Sequence, residues 1–364
     1  DLGIGDPDLP TPKFIVDKMV EAVQNPANHD YPPYQGTKDY RTAVARWYKK
    51  RFGVTLDPEN EVISLIGSKE GIVHSFLSFL DPGDVALLPD PGYPAYQTGV
   101  LIAGGEPYKL NVDEANNYEP DLDGIPADIL AKSKMLFLNY PGNPTGTLAR
   151  DAFLEKAIKW AKTNDVLICM DLAYSEVYFD AEDKPRSILE FEGAMDICIE
   201  FHSLSKTFNM TGWRVGMAVG NAEAIQILGK IKTNVDSGVF KAIQETAIHA
   251  LDNDQPFIQE QNDLLKVRRN IIVDGLNEQG WNLDYPRATY YIWAPIPAGY
   301  TSQEFTIFML ETAGILVVPG TGYGENGEGY FRISITTPNE RLEEAIRRMK
   351  THNIRFETTK TALA

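Results

Sequence analysis

The chain has 364 residues, 43% of them hydrophobic, enough for a large core and more length than one core usually organises, so two subdomains are expected. Its 34 basic and 51 acidic side chains leave a net charge of −17, which argues against nucleic acid and anionic membrane as partners. No apolar run approaches the roughly 20 residues of a membrane span, and the two cysteines, Cys169 and Cys198, both lie in apolar stretches and read as reduced core thiols of a cytoplasmic protein.

The chain opens on Asp1-Leu2-Gly3-Ile4-Gly5 without a methionine, and a further N-terminal segment contributing to a lid is expected. Helical spacing occupies residues 12–24, opened by Thr11-Pro12, and residues 38–52. Gly67-Ser68-Lys69-Glu70-Gly71 opens another helical pattern running to about residue 80, and a helix N-terminus can hold a phosphate through its free N–H groups and macrodipole. Short apolar runs at 85–88, 135–138, 166–170, 197–201 and 215–219 predict strands, with a helix at 150–163. This rhythm specifies an α/β fold with a mainly parallel, helix-covered sheet. Helical patterns resume at 222–232, 240–251 and 257–280. Strands at 290–294, 315–318 and 331–335 then mix with helices near 302–313 and 339–350. The expected division is a large domain over 31–270 and a smaller α+β domain built from 1–30 and 271–364, with the last dozen residues frayed.

Chemistry concentrates in four segments. In Ser203-Leu204-Ser205-Lys206, followed by Arg214, hydroxyls and a guanidinium can hold a phosphate while the lysine amine condenses with an aldehyde. Taken alone, this is a polar loop with a solvated lysine. The run at 166–170 ends on Asp171, which would lie at the carboxyl edge of a parallel sheet, where a carboxylate can pair with a protonated pyridine nitrogen or simply cap a helix. Asn139-Tyr140-Pro141-Gly142-Asn143-Pro144 is first of all a turn, in which Asn143 can donate to a ring oxygen. Gly67 to Gly71 is the fourth. The glycines of Gly320-Thr321-Gly322-Tyr323-Gly324 follow a proline with no helical pattern after them, so they read as a loop over the active site and not as a dinucleotide fingerprint. The five histidines show no metal-ligand spacing, and no metal is expected.

Together and in this order, the four segments resemble the class I/II aminotransferases of fold-type I, which depend on pyridoxal 5′-phosphate. The resemblance implies that Lys206 carries the cofactor, that Asp171 partners its pyridine nitrogen, and that Asn143 and Tyr174 hold its ring oxygen. It further implies that Tyr93 stacks on the ring, that Ser68, Lys69, Ser203, Ser205 and Arg214 surround the phosphate, that Arg332 forks onto the substrate α-carboxylate, and that Gly5 lines the substrate pocket. Tyr31 would reach the cofactor of a neighbouring subunit, making a homodimer with shared sites. The implied reaction is ping-pong transfer of an amino group between an amino acid and a 2-oxo acid. Residues 200–220 and 232–240 look most like the LL-diaminopimelate aminotransferase branch, in lysine biosynthesis with 2-oxoglutarate as acceptor, and there Lys232 and Asn234 would reach the distal end of the substrate from the partner subunit. One departure stands out: Tyr34-Gln35-Gly36 occupies the place where that branch carries Glu-Gln-Gly. An aspartate, alanine or aromatic aminotransferase of broad specificity, and a non-catalytic sensor domain that binds the cofactor, are the alternatives.

Overall fold

A computed structural model describes residues 1–253 and 256–357. Helices α1 (Lys13–Gln24) and α2 (Lys38–Phe52) lead into β1 (Val62–Leu65), α3 (Ser68–Phe79), β2 (Val85–Asp90), α4 (Ala95–Ala103) and β3 (Glu106–Asn111). The chain continues through α5 (Ala127–Leu130), β4 (Ser133–Asn139), α6 (Asp151–Asn164), β5 (Leu167–Asp171), β6 (Cys198–Ser203), α7 (Leu204–Thr207), β7 (Gly216–Gly220), α8 (Ala222–Val235) and α9 (Lys241–Asp252). The remaining elements are α10 (Phe257–Asn277), β8 (Tyr291–Pro295), α11 (Ser302–Ala313), β9 (Val318–Pro319), β10 (Tyr330–Ser334) and α12 (Asn339–Thr351). Helix ends follow local chemistry. The Thr37 side chain accepts from Tyr40 N–H to start α2, and Gly53 stops it in the left-handed region, at φ 72°.

The seven-stranded sheet has the order β1-β7-β6-β5-β4-β2-β3. β3, β2, β4, β5 and β6 run parallel, whereas β7 runs antiparallel to both β6 and β1. Side chains alternate between two packed faces, which is why these strands read as unbroken apolar runs. On β5, Ile168 and Met170 join one core, which also holds Ile15, Val44 and Trp47, while Cys169 joins the other with Ile72, Phe76 and Tyr96. A third core forms around the antiparallel sheet β8-β10-β9, where Phe331 and Ile333 pack with Phe305, Leu342 and Leu276. α10 spans two of these cores, giving Ile258 to the first and Leu265, Ile272 and Leu276 to the third. The N-terminal segment is also divided: Leu2 packs in the third core and Ile15 in the first, with α1 lying against α9.

Five elements, β1, β3, α4 and the single-turn helices α5 and α7, lie outside the pattern expected from the sequence. β3 is an edge strand, Glu106-Pro107-Tyr108-Lys109-Leu110-Asn111, whose mixed burial erases the apolar signal. The strand expected at 315–318 shrinks to Val318–Pro319, since only Pro319 and Val318 pair with β10. Of the last dozen residues, 358–364 lie outside the described residues.

Candidate active site

The carboxyl ends of β4, β5 and β6 meet at one cavity of about 480 Å³, as expected where parallel strands end. Asn139 closes β4 and acts as a brace. Its Nδ2 donates to the Asp171 carbonyl at 2.9 Å and its Oδ1 accepts from Asn143 N–H at 2.8 Å, which fixes the turn carrying Asn143. Asp171, the last residue of β5, is buried; burial raises its pKa from 3.8 to about 6, opposed by hydrogen bonds from Tyr96 Oη (2.8 Å) and Ala173 N–H. Lys206, in the single turn after β6, donates from Nζ to the Gly5 carbonyl at 2.8 Å. Burial lowers its pKa from 10.5 to about 8, with Asp6 pulling the other way and Arg214 and Arg332 adding to the fall. The Tyr174 hydroxyl lies 2.8 Å from that of Tyr291, and burial first, then Tyr291, pushes its pKa far up, so it remains a phenol.

Arg332 comes from β10 and is 6% exposed. Its Nη1 donates to Asn143 Oδ1 at 2.8 Å and its Nη2 to the Gly3 carbonyl at 2.5 Å, while Nε has no hydrogen-bond partner. The guanidinium lies over the rings of Tyr291, at 4.0 Å, and Tyr323, at 4.9 Å. Gly5 is required by contact, because a Cβ there would lie 2.0 Å from Tyr291 Oη. Ser68, Lys69 and Tyr93 also line the cavity.

At the opposite end, α3 begins after Gly67, which has φ 78° and no side chain to cap the first N–H groups of the helix. A Cβ on Gly67 would lie 2.3 Å from Arg214 Nη2. Arg214, itself left-handed at φ 57°, is held by the carbonyls of Thr211 (2.8 Å) and Ile66 (3.2 Å). Ser203 Oγ caps the turn by accepting from Ser205 N–H, and the buried Ser205 Oγ has no partner. A Cβ on Gly216 would lie 3.3 Å from Ser68 N and 3.4 Å from Ser203 Cα, so the two serine segments adjoin.

Of the sequence-derived residues, Ser203, Ser205 and Arg214 do not line the cavity but adjoin it beside Gly67 and Ser68, and Tyr31, Lys232 and Asn234 stand apart from it. Tyr31 is 85% exposed. Lys232 is buried, with its amine bonded to Asp236 and close to Glu70 on its own chain. Asn234 is exposed and donates to the Lys230 carbonyl. Conversely, Asn139, Tyr96, Tyr291 and Tyr323 were not singled out by the sequence. Asn139 adjoins the Asn143 turn and Tyr323 lies in the 320–324 loop expected over the active site, but Tyr96 and Tyr291 carry no local motif that would mark them.

A sheet whose carboxyl edge presents a lysine, an aspartate and an uncapped helix, with an arginine facing them, defines a fold-type I transferase. The class I and II aminotransferase profile matches residues 1–349, and the chain belongs to that family. It is 52% identical over 356 residues to LL-diaminopimelate aminotransferase 2 of Trichormus variabilis, covering 98% of this chain and 91% of the relative. The LL-diaminopimelate aminotransferase of Aquifex aeolicus is 52% identical over 350 residues, covering 96% and 90%. Among solved structures, substrate-bound BacF of Bacillus subtilis superposes with a TM-score of 0.95 at 40% identity, covering 98% of this chain and 91% of that one. An aminotransferase from Staphylococcus aureus gives 0.93 at 39%, covering 98% and 94%. The protein is therefore a transaminase that depends on pyridoxal 5′-phosphate. The cavity fits that cofactor: the orphaned Ser205 hydroxyl and the uncapped N–H groups beside Arg214 suit a phosphate, and buried Asp171 suits a pyridinium.

Proposed function

We propose that this chain transfers the amino group of LL-diaminopimelate to 2-oxoglutarate, as a step in lysine biosynthesis. The observation that carries the reading is the 52% identity to LL-diaminopimelate aminotransferases over almost the whole of both chains. Arg332 takes the α-carboxylate of the substrate through Nη2 and the unpartnered Nε, exchanging the Gly3 bond for a paired, charge-assisted one while Nη1 keeps Asn143. Its grip on Asn143 Oδ1 leaves Asn143 Nδ2 to donate, beside the Tyr174 hydroxyl, to the ring oxygen. When bound, pyridoxal 5′-phosphate supplies the aldehyde that captures the amino group and the ring that accepts electrons from Cα. Asp171 pairs with the ring nitrogen, Tyr93 stacks on the ring, and Ser68, Ser203, Ser205 and Arg214 hold the phosphate. Lys206 Nζ would carry the cofactor, and its amine, once released, would remove the substrate α-proton.

The reading extends to a cytoplasmic homodimer with shared sites, in which the exposed Tyr31 reaches the neighbour's cofactor, and to large and small units over 31–270 and over 1–30 with 271–364. A broad-specificity aminotransferase is the second reading, favoured by Tyr34 where the diaminopimelate branch carries an acid. Cofactor absorbance recorded on adding LL-diaminopimelate, L-glutamate, L-aspartate, L-alanine or L-phenylalanine decides between them. A response to LL-diaminopimelate and L-glutamate well above the rest is expected; equal responses to all five would establish the second reading.

A further inference from the structure

Lys232, on α8, is a lysine with 1% of its surface exposed, and a charge so deeply buried requires partners. Its ammonium donates to Asp236 at 2.8 and 3.0 Å and lies 3.5 Å from Glu70 Oε2. That same Oε2 accepts the Ile66 N–H at 2.8 Å, while the Ile66 carbonyl accepts from Arg214 Nη2. Glu70 is the third residue of α3 and reaches back over the Gly67 cap position, as the glutamate of a capping box does, but no cap side chain faces it. The N–H groups at the start of α3 are thus left open. Glu70 also faces His74, whose Nδ1 lies 2.6 Å from Oε1 without the alignment of a hydrogen bond.

We propose that Lys232 is a positioning residue for the cofactor phosphate, acting through Glu70. Two carboxylates, Glu70 and Asp236, would otherwise stand together near the helix end meant for a dianion, repelling it and each other. The ammonium lies between the two and offsets part of their charge, while Glu70 holds Ile66 and, through Ile66, the Gly67 turn and Arg214. Glu70, His74 and Asp236 have the spacing of a metal trio, with ligand atoms within 4.8 Å of one another, but the cation bonded among them belongs to the chain itself. The inference rests on reading Ser68, Gly67 and Arg214 as the phosphate site.

The test compares the affinities of the apoprotein for pyridoxal 5′-phosphate and for pyridoxal, which lacks the phosphate. Lys232→Met is expected to raise the Kd of the phosphorylated form at least tenfold and to leave that of pyridoxal within twofold of the parent. Glu70→Gln, a milder change that guards against misfolding of the first variant, is expected to show the same selective loss at severalfold. The double variant, lacking both charges, is expected to recover part of it. Equal weakening toward both ligands, or no weakening, in a folded variant overturns the proposal. A parent protein that does not prefer the phosphorylated form overturns the phosphate-site reading beneath it, which separates the two failures.

Discussion

The two ends of the cavity are built in opposite ways. At the cofactor end, Asn139, Asp171 and Ser203 close neighbouring parallel strands, and the polar groups there are partly unspent, with Ser205 Oγ lacking a partner and α3 uncapped. At the carboxylate end, two of the three guanidinium nitrogens of Arg332 are already engaged, by Asn143 and Gly3, with Nε left open, and two tyrosine rings flank it. Buried polar groups left open await a ligand, whereas groups already bonded must exchange partners when one arrives. Damage at the first end should therefore appear in the chemical step and cofactor retention, and damage at the second in substrate binding.

The largest expected effect lies at the first end. Lys206→Ala removes both the covalent anchor and the base, and kcat should fall by about 10⁴-fold, measured by steady-state transamination. The same amine gives a pH test. Its pKa is lowered to about 8, so the reaction of the apoprotein with the cofactor aldehyde should accelerate as pH rises through 8 and level off above it. A rate still climbing toward the ordinary 10.5 would mean that burial does not act on this lysine. Next comes Asp171→Asn, which replaces a charge-assisted contact to the ring by a neutral one, worth about 2–3 kcal/mol, or roughly 100-fold in kcat. At the second end, Arg332→Lys keeps the charge and loses the fork, and should raise the KM for the amino acid by about 10- to 100-fold with a smaller change in kcat. A fall in kcat alone would erase the contrast between the ends.

That contrast also decided what the sequence could reveal. The cofactor end was legible because each strand end delivers its residue within a short motif, Asn143 after β4, Asp171 ending β5, and Lys206 just after β6. Arg332 could be matched only through family resemblance, Tyr323 only as part of a loop expected over the active site, and Tyr291 not at all, since its place arises where β8 meets Gly5. The seven-stranded sheet was largely readable from its apolar runs. The direction of β7 was not, because burial on both faces produces the same pattern in either orientation. Lys232 was matched through resemblance alone to a contact with a neighbouring subunit's substrate, and no local motif marks its burial beside Asp236 and Glu70.

Tyr96→Phe is expected to have the smallest effect and probes the first end most finely. Tyr96 sits on α4, edge-on to Tyr93 and against Phe137, and a phenylalanine preserves those ring contacts while losing only the hydroxyl that donates to Asp171 Oδ2. Burial raises the Asp171 pKa to about 6, and the Tyr96 bond is the larger of the two interactions that hold it down. Losing it, at a cost of about 1–2 kcal/mol for a bond to a charged acceptor, moves the pKa further up. Only the carboxylate form pairs with a protonated ring nitrogen, so capture of the cofactor by the apoprotein weakens as pH falls through that pKa, and the acid limb of cofactor binding should shift to higher pH. Near pH 8 the variant should match the parent in cofactor affinity, while at pH 6 to 6.5 it should fall severalfold below it. A uniform loss at every pH would instead assign Tyr96 to packing beneath Tyr93.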